Sequence, residues 1–140
     1  MRAITVFEAS GTPFSVFRNQ PKPKRIFTPI YLYLKKERAK LYEDINTRVD
    51  IMMQEGLEKE VTDLKPHLHL NALQTIGYRE FIPYFNNTAI LDVVIDKIKQ
   101  HTRNYAKRQM TWYRGQQNWK EILSGDFEGA IKWIDKNKPI

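Results

Sequence analysis

One short apolar run constrains the fold more than any other feature of the sequence. Residues 30–34, Ile-Tyr-Leu-Tyr-Leu, are apolar or aromatic at every position, a pattern typical of a strand that is buried on both faces. A lone strand leaves backbone N–H and C=O groups unpaired along its edges, so this strand needs a sheet. No other convincing strand stands out. We therefore predict a mainly α-helical fold with a single core strand, in a chain that lacks the rest of its sheet.

Helical patterns occupy much of the remaining sequence. Residues 2–9 are helical by composition, and Gly11 is a typical helix stop. This helix would begin at the first residue without a cap, which is a second indication of a truncated chain. Residues 14–28 are interpreted as a loop. Residues 37–64 carry apolar side chains at helical spacing, and Gly56 divides them into two helices or one kinked helix.

The composition narrows the class of protein. A length of 140 residues with 41% hydrophobic side chains fits one globular domain. The absence of cysteine excludes a disulfide framework and a thiolate zinc site. The three histidines, at positions 67, 69 and 101, are too few for an all-histidine metal site unless all converge. No apolar run is long enough to span a membrane, and the first residues lack a signal-peptide core. A cytoplasmic protein is expected.

The net charge of +7 favours an anionic partner such as a phosphate, a nucleic acid or an anionic lipid. The excess is uneven, because residues 88–114 hold six cations against two acids. A second basic cluster lies among prolines and comprises Lys22, Lys24 and Arg25.

The helix predicted over residues 89–113 carries two parallel stripes. At 100° per residue, four cations fall within an arc of about 80°: Lys99, Arg103, Lys107 and Arg114. A separate arc of about 100° is apolar. Like charges on one helical face repel each other, so local stability does not explain the cationic stripe. A phosphate backbone or a diphosphate would relieve the repulsion.

Polar and aromatic side chains interrupt the apolar arc. Thr102 and Gln109 project onto it, and a buried amide without partners costs about 1–3 kcal/mol. Gln109 is therefore expected to join a buried hydrogen-bond network or to face a cavity, where its amide suits the edge of a base. Trp112 and Tyr113 could either pack in the core or offer faces on which a base stacks.

Four ordered motifs resemble one enzyme family, the tRNA dimethylallyltransferases. Residues 102–114, TRNYAKRQMTWYR, resemble the family pattern T-R-x-Y-A-[KR]-R-Q-x-x-W. Residues 73–80, LQTIGYRE, are similar to Q-x-I-G-Y-[KR]-E, and residues 48–64 resemble R-V-D-x-M-L-x-x-G-L-x-x-E-V-x-x-L. Residues 2–15 resemble R-A-L-E-V-x-x-x-T-G-x-P-x-S, and Trp133-Ile134-Asp135 is similar to a terminal W-L-D.

The resemblance implies what the chain holds and what it lacks. The family's first half carries a phosphate-binding loop, G-x-x-x-x-G-K-[ST], and a catalytic Asp, and neither motif occurs here. The fold implied is the C-terminal part of a P-loop-type α/β fold plus a helical region. Residues 1–34 would end the truncated core, residues 35–114 would form the helical region, and residues 115–140 would be a partly helical tail.

The resemblance also implies an activity. The family transfers a dimethylallyl group from dimethylallyl diphosphate to N6 of the adenosine 3′ of the anticodon. The implied cofactor is Mg²⁺, bound mainly by the missing half, so no metal ligand is predicted in this chain. The partner is the anticodon stem-loop of tRNA, without a membrane, and family members are usually monomeric. The fragment should be inactive alone.

Site residues follow from the motifs. Arg79, in the Gly77–Arg79 turn, is predicted to be catalytic and to contact the diphosphate, and Arg38, just after the strand, is a second diphosphate candidate. Arg79 lies in a motif that matches the family, where a cation would stabilise the leaving diphosphate. Arg38 lies at the carboxyl end of the strand, where P-loop folds place ligand groups. The cationic stripe should then lie near the Gly77–Arg79 turn. The predicted tRNA contacts are Gln74, Arg103, Lys107, Arg108, Gln109, Trp112 and Arg114.

Three alternatives remain open. A non-catalytic RNA-binding module would need the basic helix but no diphosphate contact at Arg79. A prenyltransferase acting on free adenine nucleotides would not need the wide cationic stripe. A structural protein whose basic helix meets an acidic partner would bind that partner without competition from RNA.

Overall fold

A computed structural model describes residues 2–19, 21 and 26–138 of the chain. The chain divides into two compact units, one within Met1–Pro29 and one over Ile30–Lys138. The basic cluster of Lys22, Lys24 and Arg25 lies outside the described residues.

The first unit contains two helices, α1 (Arg2–Ser10) and α2 (Phe14–Arg18). The helix predicted over residues 2–9 is confirmed, and Gly11 follows it with φ at +66°. The loop predicted from residue 14 is wrong over Phe14–Arg18. Pro13 holds φ at −57° directly before α2, and a proline at a helix start costs no intrahelical hydrogen bond.

The second unit begins with a two-stranded parallel sheet. Strand β1 (Tyr31–Lys35) pairs with β2 (Trp119–Leu123), with Tyr31 opposite Trp119 and Lys35 opposite Leu123. The mainly helical fold is confirmed, and the strand finds a partner in the segment that the sequence analysis treated as a tail. Strand β2, Trp-Lys-Glu-Ile-Leu, mixes polar and apolar residues without alternation, and Ile122 is its only buried residue, so its sequence signal is weak.

Helices connect and flank the two strands. The stretch predicted over 37–64 forms two helices that Gly56 separates with φ at +102°: α3 (Arg38–Gln54) and α4 (Leu57–Asp63). The remaining helices are α5 (Ile82–Phe85), α6 (Leu91–Arg114) and α7 (Phe127–Asn137). Single 3-10 turns lie at Lys65–His67, Asn71–Leu73 and Arg79–Phe81.

The hydrophobic core of the second unit lies where α4 and the turn before α5 meet the N-terminal half of α6. Its most buried side chains, all at most 2% exposed, are Val61, Phe81, Val94 and Ile98. Helix α3 adds Val49 to this cluster and packs along α6. The core therefore fixes α3, α6 and the Arg79–Phe81 turn relative to one another. None of the helices that the structure describes combines the length and apolarity that a membrane span requires.

Candidate nucleic-acid interface

A cleft of about 360 Å³ opens between the end of β1, the start of α3 and the C-terminal half of α6. Apolar side chains, including Leu41, Ala106 and Met110, form part of its lining. Five cations line it as well: Lys35, Lys36, Arg38, Lys107 and Arg114. The structure thus brings one predicted diphosphate contact, Arg38, together with two predicted tRNA contacts from the far end of the sequence.

Acidic partners neutralise only two of these five cations. Lys35 Nζ lies 2.6 Å from Glu121 Oε1, and Lys36 pairs with Asp44. Within residues 2–19, 21 and 26–138, the structure shows no ion pair for the other three: Arg38, Lys107 and Arg114. The cleft therefore holds an excess of positive charge, which an anion would offset.

The acids at the cleft are already engaged. Glu37 caps α3, accepting hydrogen bonds from the backbone N–H of Ala39 at 2.9 Å and of Lys40 at 2.8 Å, and these bonds lower the pKa of Glu37. Glu121 accepts hydrogen bonds from Lys35 and from the Tyr33 hydroxyl, at 2.6 Å each. Those bonds, with a smaller contribution from the charge of Arg114, lower the pKa of Glu121. Both carboxylates therefore stay ionised in their own contacts.

The first half of the cationic stripe lies against α3. Lys99 Nζ is 2.6 Å from Asp50 Oδ1, and Arg103 Nη1 donates to Asn46 Oδ1 at 2.6 Å. Lys99 is therefore neutralised by the protein's own acid, which corrects the prediction of four open cations. The role of Arg103 in binding tRNA stays a prediction, since its partner is a neutral amide.

A separate cluster surrounds Arg79. The Glu80 carboxylate is 3% exposed and accepts three hydrogen bonds: from Gly77 N at 2.9 Å, from Arg79 Nε at 3.0 Å and from His101 Nδ1 at 2.6 Å. Burial acts to raise the pKa of Glu80, but the hydrogen bonds from His101, Gly77 and Arg79 outweigh it, and the pKa is lowered. An ionised Glu80 can only accept, so His101 Nδ1 carries the donated proton.

The Arg79 cluster and the cationic cleft lie on different faces of α6. His101 follows Lys99 by two residues, which places it about 160° away around the helix axis. Lys107 and Arg114 are about 120–140° from His101 by the same arithmetic. The expectation that the stripe lies beside the Gly77–Arg79 turn is therefore wrong. The described cations of the predicted site thus lie in two separate regions.

A third surface, on the C-terminal half of α6, is aromatic and exposed. Tyr105 and Trp112 are 49% and 56% exposed, and the Arg108 guanidinium lies 5.7 Å from the centre of the Tyr105 ring. Gln109 is exposed as well, so the expectation of a buried network or cavity is wrong for it. Tyr113, by contrast, stacks on Tyr33 with ring centres 5.3 Å apart.

Two further predicted residues have their polar groups engaged within the protein. The Gln74 side-chain amide donates to the Leu68 carbonyl, and Thr102 donates to the Ile98 carbonyl at 2.7 Å. The tRNA contact predicted for Gln74 stays a prediction. Sequence reasoning gave Glu80 and His101 no role, although Glu80 closes the G-Y-R-E motif and His101 stands directly before the T-R-x-Y-A motif.

Replacing Gly77 should destabilise the turn that carries Arg79. Gly77 has φ at +101°, and a Cβ added there would have no neighbouring atom within 4 Å, so a side chain would meet backbone strain but no clash. Gly77→Ala should cost about 1–2 kcal/mol of unfolding free energy in urea denaturation. The matched control, Gly115→Ala, has φ at −76° and should be neutral or up to about 1 kcal/mol more stable. Equal effects at both glycines would contradict the role of backbone strain.

Glu80 should contribute stability only when ionised. Its folded pKa lies below the unfolded value, so the contribution is complete above the unfolded pKa of about 4.3 and is lost as pH falls through the folded pKa. Glu80→Gln should cost about 1–3 kcal/mol at pH 7, because a buried donor or acceptor loses its partner. Urea unfolding of both proteins between pH 7 and pH 2 should show that difference shrinking at acid pH. A difference that does not change with pH would refute the assignment.

Comparison with known proteins identifies the family. A family model described as IPP transferase matches residues 1–116. The chain belongs to this family. A tRNA dimethylallyltransferase of Flavobacterium johnsoniae is 48% identical over 138 residues, which cover 98% of this chain and 45% of the relative. The chain thus spans less than half the length of this IPP transferase.

Solved structures of IPP transferases agree. The tRNA isopentenylpyrophosphate transferase of Bacillus halodurans matches with a TM-score of 0.68 and 32% identity, over 96% of this chain and 42% of that one. The tRNA delta(2)-isopentenylpyrophosphate transferase of Staphylococcus epidermidis matches with a TM-score of 0.71 and 28% identity, over 98% and 47%. The fold described above is therefore that of the corresponding part of these enzymes.

Proposed function

We propose that this chain supplies the tRNA contacts and a diphosphate contact of a tRNA prenyltransferase. The reaction transfers a dimethylallyl group from dimethylallyl diphosphate to N6 of the adenosine 3′ of the anticodon. The observation that carries the proposal is the convergence of three cations that make no ion pair among the described residues, Arg38, Lys107 and Arg114, on one cleft of an IPP transferase. Such an enzyme acts where tRNA is, in the cytoplasm, and is proposed to be monomeric.

The cleft fits the RNA backbone. Guanidinium and ammonium groups bind phosphate oxygens without reading sequence, and they fix the register of the RNA. On α6, about 140–160° around the helix axis from Lys107, Trp112 and Tyr105 present exposed rings, and Gln109 presents an exposed amide. Unpaired bases of an anticodon loop can stack on such rings and bond to such an amide. The cations would therefore hold the backbone, and a different face of α6 would hold bases.

Arg79 is proposed to act on the diphosphate. In the transfer, the adenosine N6 electron pair forms a bond to carbon one of the allylic substrate, the carbon–oxygen bond breaks, and diphosphate leaves with its electron pair while N6 loses a proton. Negative charge grows on the leaving group, and a fixed cation stabilises that transition state. The Nε atom of Arg79 is held by Glu80, and its side chain is 46% exposed. Its two terminal nitrogens can therefore face a phosphate oxygen.

In this proposal, Mg²⁺ is bound mainly by residues that lie outside the described part of the chain. Mg²⁺ would neutralise phosphate charge when bound. Across residues 2–19, 21 and 26–138, no group of three or more His, Cys, Asp or Glu side chains is arranged to hold a metal ion.

A binding titration tests the RNA half of the proposal. The 140-residue chain is titrated with a fluorescent anticodon stem-loop at 50 and 200 mM salt, with free adenosine monophosphate and an acidic peptide as competitors. Two to three phosphate contacts predict a loss of affinity of about 7- to 40-fold between the two salt concentrations. Displacement of the RNA by adenosine monophosphate would favour an enzyme that acts on free nucleotides. Binding of the acidic peptide that RNA does not compete for would favour the structural protein.

A further inference from the structure

A buried carboxylate between Arg79 and α6 has no part in the reaction as proposed above. Glu80 is the only charged residue that is buried within the described part of the chain. Moving a carboxylate out of water is costly unless hydrogen bonds compensate it. Glu80 has three such bonds, and they come from three different places: the Gly77 backbone, the Arg79 guanidinium and the His101 ring of α6.

The geometry divides the two carboxylate oxygens between two tasks. Oε2 accepts from Gly77 N and so closes the turn, whereas Oε1 accepts from both Arg79 Nε and His101 Nδ1. A side chain that accepts from Arg79 Nε fixes the plane of the guanidinium, since that group is rigid and planar. His101, 37% exposed and on α6, holds the same oxygen from the other side. The position of the guanidinium is therefore tied to α6 through one atom.

We propose that Glu80 and His101 are positioning residues that hold the Arg79 guanidinium in place for the diphosphate. The inference rests on the proposed function, because it takes Arg79 to have an anionic substrate. A transition state is stabilised best by a cation that does not have to reorganise. Arg79 is half exposed, and without Glu80 its side chain would sample several rotamers. The lowered pKa of Glu80 agrees with a carboxylate that is ionised at neutral pH.

The variants separate positioning from folding. Glu80→Gln keeps the size of the side chain but leaves one amide oxygen, so it cannot serve Gly77 and Arg79 from two accepting atoms. His101→Leu removes the donor, whereas His101→Asn keeps an N–H donor near the place of Nδ1. His67→Leu, at an exposed histidine in the Lys65–His67 turn, is the matched control.

The first measurement uses the 140-residue chain and nuclear magnetic resonance. Hydrogen exchange of the Arg79 Nε–H should accelerate about tenfold or more in Glu80→Gln and His101→Leu, because a charge-assisted hydrogen bond is lost or weakened. It should stay at the wild-type rate in His101→Asn and in the His67 control. Dispersed methyl signals from Val94 and Ile98 report that each variant is folded. Unchanged exchange in folded Glu80→Gln protein would overturn the inference.

The second measurement reports on the reaction. A chimaera is built in which this chain replaces the matching residues of the Flavobacterium johnsoniae relative. His101→Leu should lower kcat/KM for dimethylallyl diphosphate by about ten- to a hundredfold and leave the KM for tRNA unchanged. His101→Asn should restore kcat/KM. A rise in the KM for tRNA as large as the loss of kcat/KM for dimethylallyl diphosphate would overturn the positioning role. If a folded wild-type chimaera that binds tRNA forms no product, the proposed function fails, and the exchange of Arg79 Nε–H still decides the inference.

Discussion

Reversing two charges at the cleft, Lys107→Glu with Arg114→Glu, should weaken binding of an anticodon stem-loop about 100-fold at 0.1 M salt. Both side chains are exposed and make no ion pair in the part of the chain that the structure describes, so their loss should not unfold the protein. The plot of log affinity against log salt should become shallower by about two. Fluorescence anisotropy with the 140-residue chain measures both quantities.

The control for this prediction carries the same change of charge elsewhere. Lys59 pairs with Asp63 on α4, and Lys97 lies on α6 about 80–100° from Lys107 and Arg114. Lys59→Glu with Lys97→Glu should change RNA affinity by only a few fold, through the net charge alone. If the two double variants bind RNA equally weakly, the cleft is not the binding site, and a diffuse basic surface explains the affinity.

Truncation of Phe81 should have the largest effect on stability. Its ring is 0% exposed and lies between Val61 on α4 and Val94 and Ile98 on α6 within one core cluster. Phe81→Ala should cost about 3–5 kcal/mol of unfolding free energy, since the deletion removes buried surface and leaves a cavity. Urea denaturation monitored by circular dichroism gives the value. Because Phe81 follows Glu80 directly, the same variant should also speed exchange of the Arg79 Nε–H.

Phe127→Ala provides the matched control, because it makes the same chemical change at a ring that is 78% exposed at the start of α7. Its cost should stay within about 0.5 kcal/mol. A loss at Phe81 no larger than the loss at Phe127 would contradict the placement of the core at the Arg79–Phe81 turn.

Local signals in the sequence predicted most of the second unit. Apolar spacing over residues 37–64 predicted two helices or one kinked helix, and the structure shows two helices with Gly56 between them at a positive φ. The apolar run at 30–34 predicted the strand that the structure shows at Tyr31–Lys35. These features depend on neighbours within a few residues, which is the range over which periodicity and turn chemistry act.

Features that join distant segments were not predictable in the same way. Strand β2 pairs with β1 across the intervening helices, and its mixed polar pattern resembles that of an exposed segment. Lys99 is neutralised by Asp50, and Arg103 meets Asn46, because α3 and α6 pack side by side. The 100° spacing predicts on which face of a helix a residue lies, but it does not predict whether another element or solvent covers that face. For that reason Gln109 lies on the apolar arc and is nevertheless exposed.

In the proposed function, the two cationic regions divide the work between different faces of α6. The cations around Lys107 face the cleft with Arg38, whereas Arg79 belongs to the Glu80–His101 cluster on another face of α6. One helix can therefore hold the RNA backbone on one side and fix a diphosphate contact on the other.

Prenyl transfer by the chimaera with the Flavobacterium johnsoniae relative is the decisive experiment for the proposed function. Labelled dimethylallyl diphosphate and tRNA are supplied, and incorporation of label into tRNA is measured beside the parent enzyme. We expect transfer within about tenfold of the parent rate and a loss of at least about a hundredfold in Arg79→Ala, as for removal of one transition-state contact. A folded chimaera that binds tRNA yet transfers no label, or one whose Arg79→Ala variant keeps its rate, would contradict the proposed function.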